Sequence, residues 1–110
     1  MIGGNIEGLL QERTTEDNAI GESIETWVTL ETLIGYLDLM GETTNKTNNK
    51  AHIVEATHIF ICDYKAINKN AENKRMVFNN EEYVVKFIDD PMNLNQHLEI
   101  YLKYVGGQNG

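Results

Sequence analysis

The sequence predicts a mainly all-β fold, a small antiparallel barrel or sandwich of about six strands with a long loop after the second. Three observations carry this. Apolar and polar residues alternate over short runs, the two-residue period of a half-buried strand. Clusters of Asn, Thr, Asp and Gly separate the runs, and these residues make turns. The chain has 110 residues, one domain's worth, and long enough to bury a core without staples.

Taken in order, "MIGGNIEGLL" has glycines at 3, 4 and 8, which predict a frayed start and a short first strand near residues 8–14. "TTEDNAIGES" is polar and rich in turn formers, a loop. "IETWVTLETLIGYLDLM" supports two readings. Trp27, Leu30, Ile34, Leu37 and Met40 recur at helical spacing. Against a helix stand three Thr, two Ile, Val, Trp and Tyr, a set that prefers strands. The strand reading is adopted, with Gly35 as the place where a long strand could bulge or bend. "GETTNKTNNK", residues 41–50, has no apolar anchor, and a loop of this length inside a small domain is usually functional or disordered.

"AHIVEATHIFICDYKAI" returns to strand character, with His58, Phe60, Cys62 and Tyr64 on one face. "NKNAENK" is a turn, and residues 75–78 form a short strand. Asn79-Asn80 makes a two-residue hairpin turn, since Asn tolerates positive φ. Residues 82–89 follow, with Tyr83, Val85 and Phe87 on one face and Val84, Lys86 and Ile88 on the other. Pro91 ends the run, because proline cannot donate to a ladder. Leu98, Ile100, Leu102 and Tyr104 then alternate with His97, Glu99, Tyr101 and Lys103. The expected core set is Trp27, Tyr83, Val85, Phe87, Leu98, Ile100 and Leu102. One domain spans residues 1–110, with 1–7 and 106–110 as flexible ends and 41–56 as the long loop. An antiparallel sheet rolled on itself is the natural way to bury these faces.

A net charge of −8 argues against unaided nucleic-acid binding, which depends on Lys and Arg neutralising phosphates. An acidic wall would still let DNA slide past without sticking. Cys62 is the single cysteine, so no internal disulfide forms, as suits a reducing compartment. No basic-then-apolar leader opens the chain, and no apolar run approaches the roughly 20 residues of a membrane span. The expectation is a soluble cytoplasmic product. Asn45-Lys46-Thr47 matches a glycosylation sequon, which without a secretion signal is read as chance.

Reactive groups do not assemble into a motif. His58 and Cys62 on one strand lie about 13 Å apart at about 3.3 Å per residue, too far to share an ion. His52 adds no ligand spacing. Cys62 sits mid-strand without the cationic neighbours or helix N-terminus that lower a thiol pKa. Glu81-Glu82 and Asp89-Asp90 are consecutive in extended chain, so each pair points to opposite faces and makes no acid–base dyad. The glycines at 3 and 4 lack the Lys-Ser/Thr ending of a phosphate loop. No catalytic, cofactor or metal site is expected.

The order of the strands and their punctuation resembles the phage head–tail joining family, the head closure or head completion proteins of long-tailed bacteriophages. The resemblance runs through "GESIETWVTLETLIGYLDLMG" (residues 21–41), "THIFICDYKAI" (57–67) and "KRMVFNNEEYVVKFIDDPMNLNQHLEIYLKYVG" (74–106). It covers about residues 8–106 and includes no catalytic signature. Asp63 stands where the family often has Arg, Asn79-Asn80 replaces a glycine-containing turn, and the late Trp-Ala pair is closer to Gly35-Tyr36. The resemblance implies a β-barrel that assembles with itself as a ring in the virion neck, below the portal and its adaptor and above the tail or its completion protein. Before assembly it would reside in the host bacterial cytoplasm. Carried over by position, the loop at 41–56 would project into the channel and help retain packaged DNA, with Glu42, Thr43, Thr44, Asn45, Lys46, Thr47, Asn48, Asn49, Lys50 and His52 as the channel or partner contacts. Contact with DNA would amount to non-specific proximity, and no membrane is implied. The rival readings are a tail-completion component and a generic barrel module binding a peptide or small ligand; an enzyme ranks last.

Overall fold

A computed structural model describes residues 6–40 and 56–107. Six strands form the fold: β1 (Ile6–Asp17), β2 (Ser23–Leu39), β3 (His58–Asp63), β4 (Lys74–Phe78), β5 (Glu81–Asp89) and β6 (His97–Gly107). The ambiguous second segment is strand from Ser23 to Leu39. All neighbours pair antiparallel, and the order β1-β2-β3-β6-β5-β4 closes on itself through β4 and β1. The result is an uneven barrel, because β2 has 17 residues and β4 only 5. Among the described residues no α-helix occurs; Pro91–Asn93 make one 3-10 turn.

Strand ends differ from the sequence expectation at both termini. Ile6 and Glu7 already belong to β1, facing Gly35 and Ile34. At the other end Gly106 and Gly107 pair with Glu82 and Glu81. These residues, expected to be loose, are held by ladder bonds to a neighbouring strand. The Asn79-Asn80 turn has φ of 50° and 65°, the positive pair that a two-residue hairpin requires.

The core is formed by Leu10, Leu33, Phe60, Cys62, Met76, Phe78, Tyr83, Val85, Ile88, Leu98, Ile100 and Leu102. Phe60 and Phe78 meet at 5.0 Å between ring centroids, and Tyr83 stands edge-on to Phe78 at 5.3 Å. Tyr64, Ile67 and Ala71, from the connection between β3 and β4, pack onto this cluster. That connection is held by successive side-chain turns, in which Asn68 and Asn70 each accept the N–H two residues on.

Two residues expected in the core lie outside it. Trp27 and Phe87 are half-buried on the outer face, and a bulge accounts for each. Leu10 faces Glu31 while Gln11 faces Thr29, so Leu30 is an extra residue that reverses the facing of β2 beyond it. Val85 faces Leu102 while Phe87 faces Tyr101, so Lys86 is extra and Phe87 turns outward. Ile88 takes the inward position instead, at 4% exposure. Gly35 is not a bulge. It sits between Ile6 and Cys62 in unbroken register, where an added Cβ would run into the Ile61 carbonyl oxygen and the Cys62 backbone.

Beyond the barrel β1 and β2 run on as a two-stranded arm. β1 contacts β4 only as far as Glu12, and β2 meets β3 only from Gly35. The long dimension of 49 Å against 26 Å in the other two reflects this projection. Asn18 shapes the tip, its Oδ1 accepting the N–H groups of Ile20 (3.0 Å) and Glu22 (2.9 Å), and Gly21 supplies a φ of +87°.

The two glycines should respond differently to alanine. Gly35→Ala overpacks two strands and should cost about 1–3 kcal/mol. Gly21→Ala faces open space and should cost only the left-handed backbone penalty, about 1–2 kcal/mol. Paired denaturant melts, with backbone amide exchange along β2 and β3, check this: Gly35→Ala should loosen both strands and Gly21→Ala the arm tip alone.

Candidate functional site

The expected channel and partner contacts, Glu42 to Lys50 and His52, lie outside the described residues. Their anchors are described. The Met40 N–H donates to the Thr57 carbonyl at 2.9 Å, and Thr57 in turn donates its N–H to Leu102 at 2.7 Å. The segment 41–56 thus leaves and rejoins the barrel at one point of its rim. Of the expected core set, Tyr83, Val85, Leu98, Ile100 and Leu102 are buried together.

The same rim carries a polar and aromatic cluster. The Thr57 hydroxyl accepts the Tyr104 N–H at 2.8 Å and hydrogen-bonds His58 Nδ1 at 2.9 Å. The His58 ring stands edge-on to Tyr83 at 5.1 Å, and Tyr83 meets Tyr104 at 5.2 Å. Burial lowers the His58 pKa, with Asp38 opposing in part. The Tyr104 hydroxyl donates to Glu81, and that bond raises its pKa. Farther along β6, the Tyr101 hydroxyl donates to Glu99 at 3.0 Å; burial first and Glu99 second push its pKa up. Each group is pushed toward its neutral form, and each is engaged in a hydrogen bond to a neighbouring side chain.

Cys62 lies in the core at 1% exposure. Burial, and secondarily Asp63, raises its pKa from 9.0 to about 11, the reverse of what a nucleophile needs. Among the described residues no three His, Cys, Asp or Glu side chains gather as a metal site. No helix among them is long and apolar enough to cross a membrane.

One concavity among the described residues is absent from the sequence expectations. An open groove of about 750 Å³ runs beside the root of the arm, walled by Trp27, Arg75, Val84 and Phe87 and by residues 69–73 of the connection. The bulge at Leu30 places Trp27 here, facing outward, and the Arg75 guanidinium carbon lies 4.1 Å from its ring centroid. The Arg75 Nε donates to Gln11 at 2.8 Å, and its fork reaches Glu82 at 3.3 Å. Lys74 is buried beneath, donating to the Asn70 carbonyl at 2.7 Å beside Glu12 at 3.7 Å. Lys69 reaches the buried carboxylate of Asp90 at 3.6 Å. Five of the chain's nine cationic residues line this one groove: Arg13, Lys69, Lys74, Arg75 and Lys86. The signal in the sequence was the run "KNAENKR" in an otherwise acidic chain.

Residues 9–103 match the family described as phage head completion protein. In structure the chain is similar to protein SF1141 from Shigella flexneri 2a, with a TM-score of 0.69, 15% identity, and 92% of each chain covered. At that identity the likeness speaks for the fold alone. No curated protein matches the chain in sequence.

Two outcomes are expected. The folded state holds Cys62 protonated above the pH at which the unfolded thiol ionises, so its contribution is full below about pH 9 and is lost as pH rises through about 11. Unfolding midpoints measured from neutral pH upward should therefore fall across that window. Cys62→Ala should flatten the early part of the fall, and the native thiol should resist alkylation. Separately, Arg75→Ala should cost about 1–2 kcal/mol through the lost cation–π contact and hydrogen bonds. Because Trp27 is the single tryptophan, its emission should shift to the red.

Proposed function

Because the chain belongs to the phage head completion protein family, we propose that it is a neck component of a long-tailed phage or prophage. Its role is structural and virion-associated. In this reading copies form a ring below the portal and its adaptor, and the ring receives the tail or a tail-completion protein underneath. The observation that carries the proposal is the family match across nearly the whole barrel. The groups that could do chemistry support it, being buried, neutral or engaged in structural hydrogen bonds.

The segment 41–56 is assigned to channel closure or partner contact. Both of its ends are fixed at one point of the rim by Met40 and Thr57, so a force on the segment is delivered directly to β2, β3 and β6. The net charge of −8 suits a passage for DNA, since like charge keeps the duplex from adhering. DNA is then a passing neighbour, and the partners that matter are proteins.

Deleting residues 43–49 in a phage carrying this gene, followed by imaging of particles, tests the assignment. The expected result is heads that lose DNA or lack tails while the purified variant keeps its melting temperature. Filled heads joined normally to tails would remove the closure role from the segment.

A further inference from the structure

The arm and the groove are complementary in charge and unlike in shape. Residues 14–26 carry Glu16, Asp17, Glu22 and Glu25 and no cation. Their strands pair only with each other, leaving a free edge on each side, and a two-stranded ribbon is marginal alone in water. The tip exposes Ile20 at 78%, and Ile24 follows at 45%. A free acidic ribbon with an apolar tip needs a partner that is basic and partly apolar.

The groove meets that description. Its reachable cations are Arg13 and Lys69, whose side chains are 43% and 42% exposed. Arg13 pairs with Glu25 at 3.5 Å with both side chains exposed, a pair that exchanges partners at little cost, while a second Arg13 nitrogen stays on Asn73 at 2.7 Å. Lys69 keeps its contact with the buried Asp90 carboxylate at 3.6 Å and offers a docking acid only its exposed side. Trp27 and Val84 supply apolar lining. A polyphosphate fits less well. Lys74 is out of reach beneath the surface, at 2% side-chain exposure, and Glu72 and Glu82 also line the groove.

We propose that the arm tip of one copy docks in the groove of the next. The contact joins two different patches of the same chain, so it repeats head to tail and closes into a ring when the rotation between copies allows. The inference rests on the ring reading given above and supplies its interface. It also explains why the arm extends beyond what the barrel needs: its far end is built for another molecule's surface.

Cysteine cross-linking between differently tagged copies tests this. Ile20→Cys at the tip and Glu72→Cys at the groove are prepared as separate variants, with buried Cys62 as a silent background. Mixed under mild oxidation, they should give a hetero-dimer in several-fold excess over the products of either variant alone. Asp17→Lys on the tip partner should suppress it, and Arg13→Glu on the groove partner, at an exposed position, should restore it. The doubly substituted chain should give a ladder beyond two copies. No excess in the mixture overturns arm docking; rings that still form on portal–adaptor complexes would then leave the ring reading standing. A cross-link that stops at two copies in the double variant supports arm docking and counts against the ring.

Discussion

The seam in which Leu9 to Glu12 of β1 lie against Lys74 to Val77 of β4 closes the sheet, and the rest of the molecule depends on it. Only four residue pairs make it. Were it open, β1 and β4 would both be free edges, and Leu10, Met76 and Phe78 would face water from the margin of a curled sheet. Closed, all three are buried. The seam ends where Glu12 meets Lys74, a lysine at 4% exposure that the Asn70 carbonyl and Glu12 jointly satisfy. An unpaired ammonium there would be costly, so the polar termination of the seam and the fold of residues 69–73 are a single problem with one solution. The groove is its outer consequence, since the connection that satisfies Lys74 from within forms the groove's wall without.

Alternation across a strand has a period of two, and a single extra residue reverses every facing beyond it. This explains which parts of the fold were legible in the sequence. The strands, their order along the chain and the Asn79-Asn80 turn follow from patterning and turn chemistry, both local. The inward set on β6 was legible through Leu102, because that run is unbroken until Val105. Trp27 and Phe87 were misplaced because a bulge separates each from the inward-facing part of its strand, Leu30 following Trp27 and Lys86 preceding Phe87, and no local signal distinguishes Leu30 or Lys86 from an ordinary strand residue. Bulges answer to the closure of the ring, a property of all six strands together. Gly35 carried the opposite ambiguity. A strand glycine marks either a bulge or a close approach of backbone, and only the neighbouring β3 decides between them.

Of the groove only the run "KNAENKR" showed in the sequence, and a run does not give a concavity. Its cations are scattered at positions 13, 69, 74, 75 and 86, and their convergence needs the β1–β4 and β4–β5 pairings. Composition recorded only the average, a net charge of −8. The average conceals a separation, with acids alone at the arm's end and more than half of the cations around one concavity. A protein that needed charge only for solubility would intersperse the two signs.

That separation gives the barrel two unlike surfaces, one acidic and one with clustered cations. A closed sheet has no strand edges left for pairing, so strand addition is open only to what the chain adds outside the ring. Here those additions are the β1–β2 arm, which keeps free edges, and the rim where Met40 and Thr57 fix the segment between β2 and β3. The arm lies on the side of the ring that contains the seam, and the rim lies at the end where β2 meets β3. Strand β2 runs from one to the other without a break in pairing except at Leu30. The two additions outside the ring are therefore the opposite ends of one strand, with Gly35, where an added Cβ would meet the Ile61 carbonyl, between them. The bulge at Leu30 separates the two ends: on its arm side Trp27 faces outward into the groove, and on its rim side Leu33 faces the core.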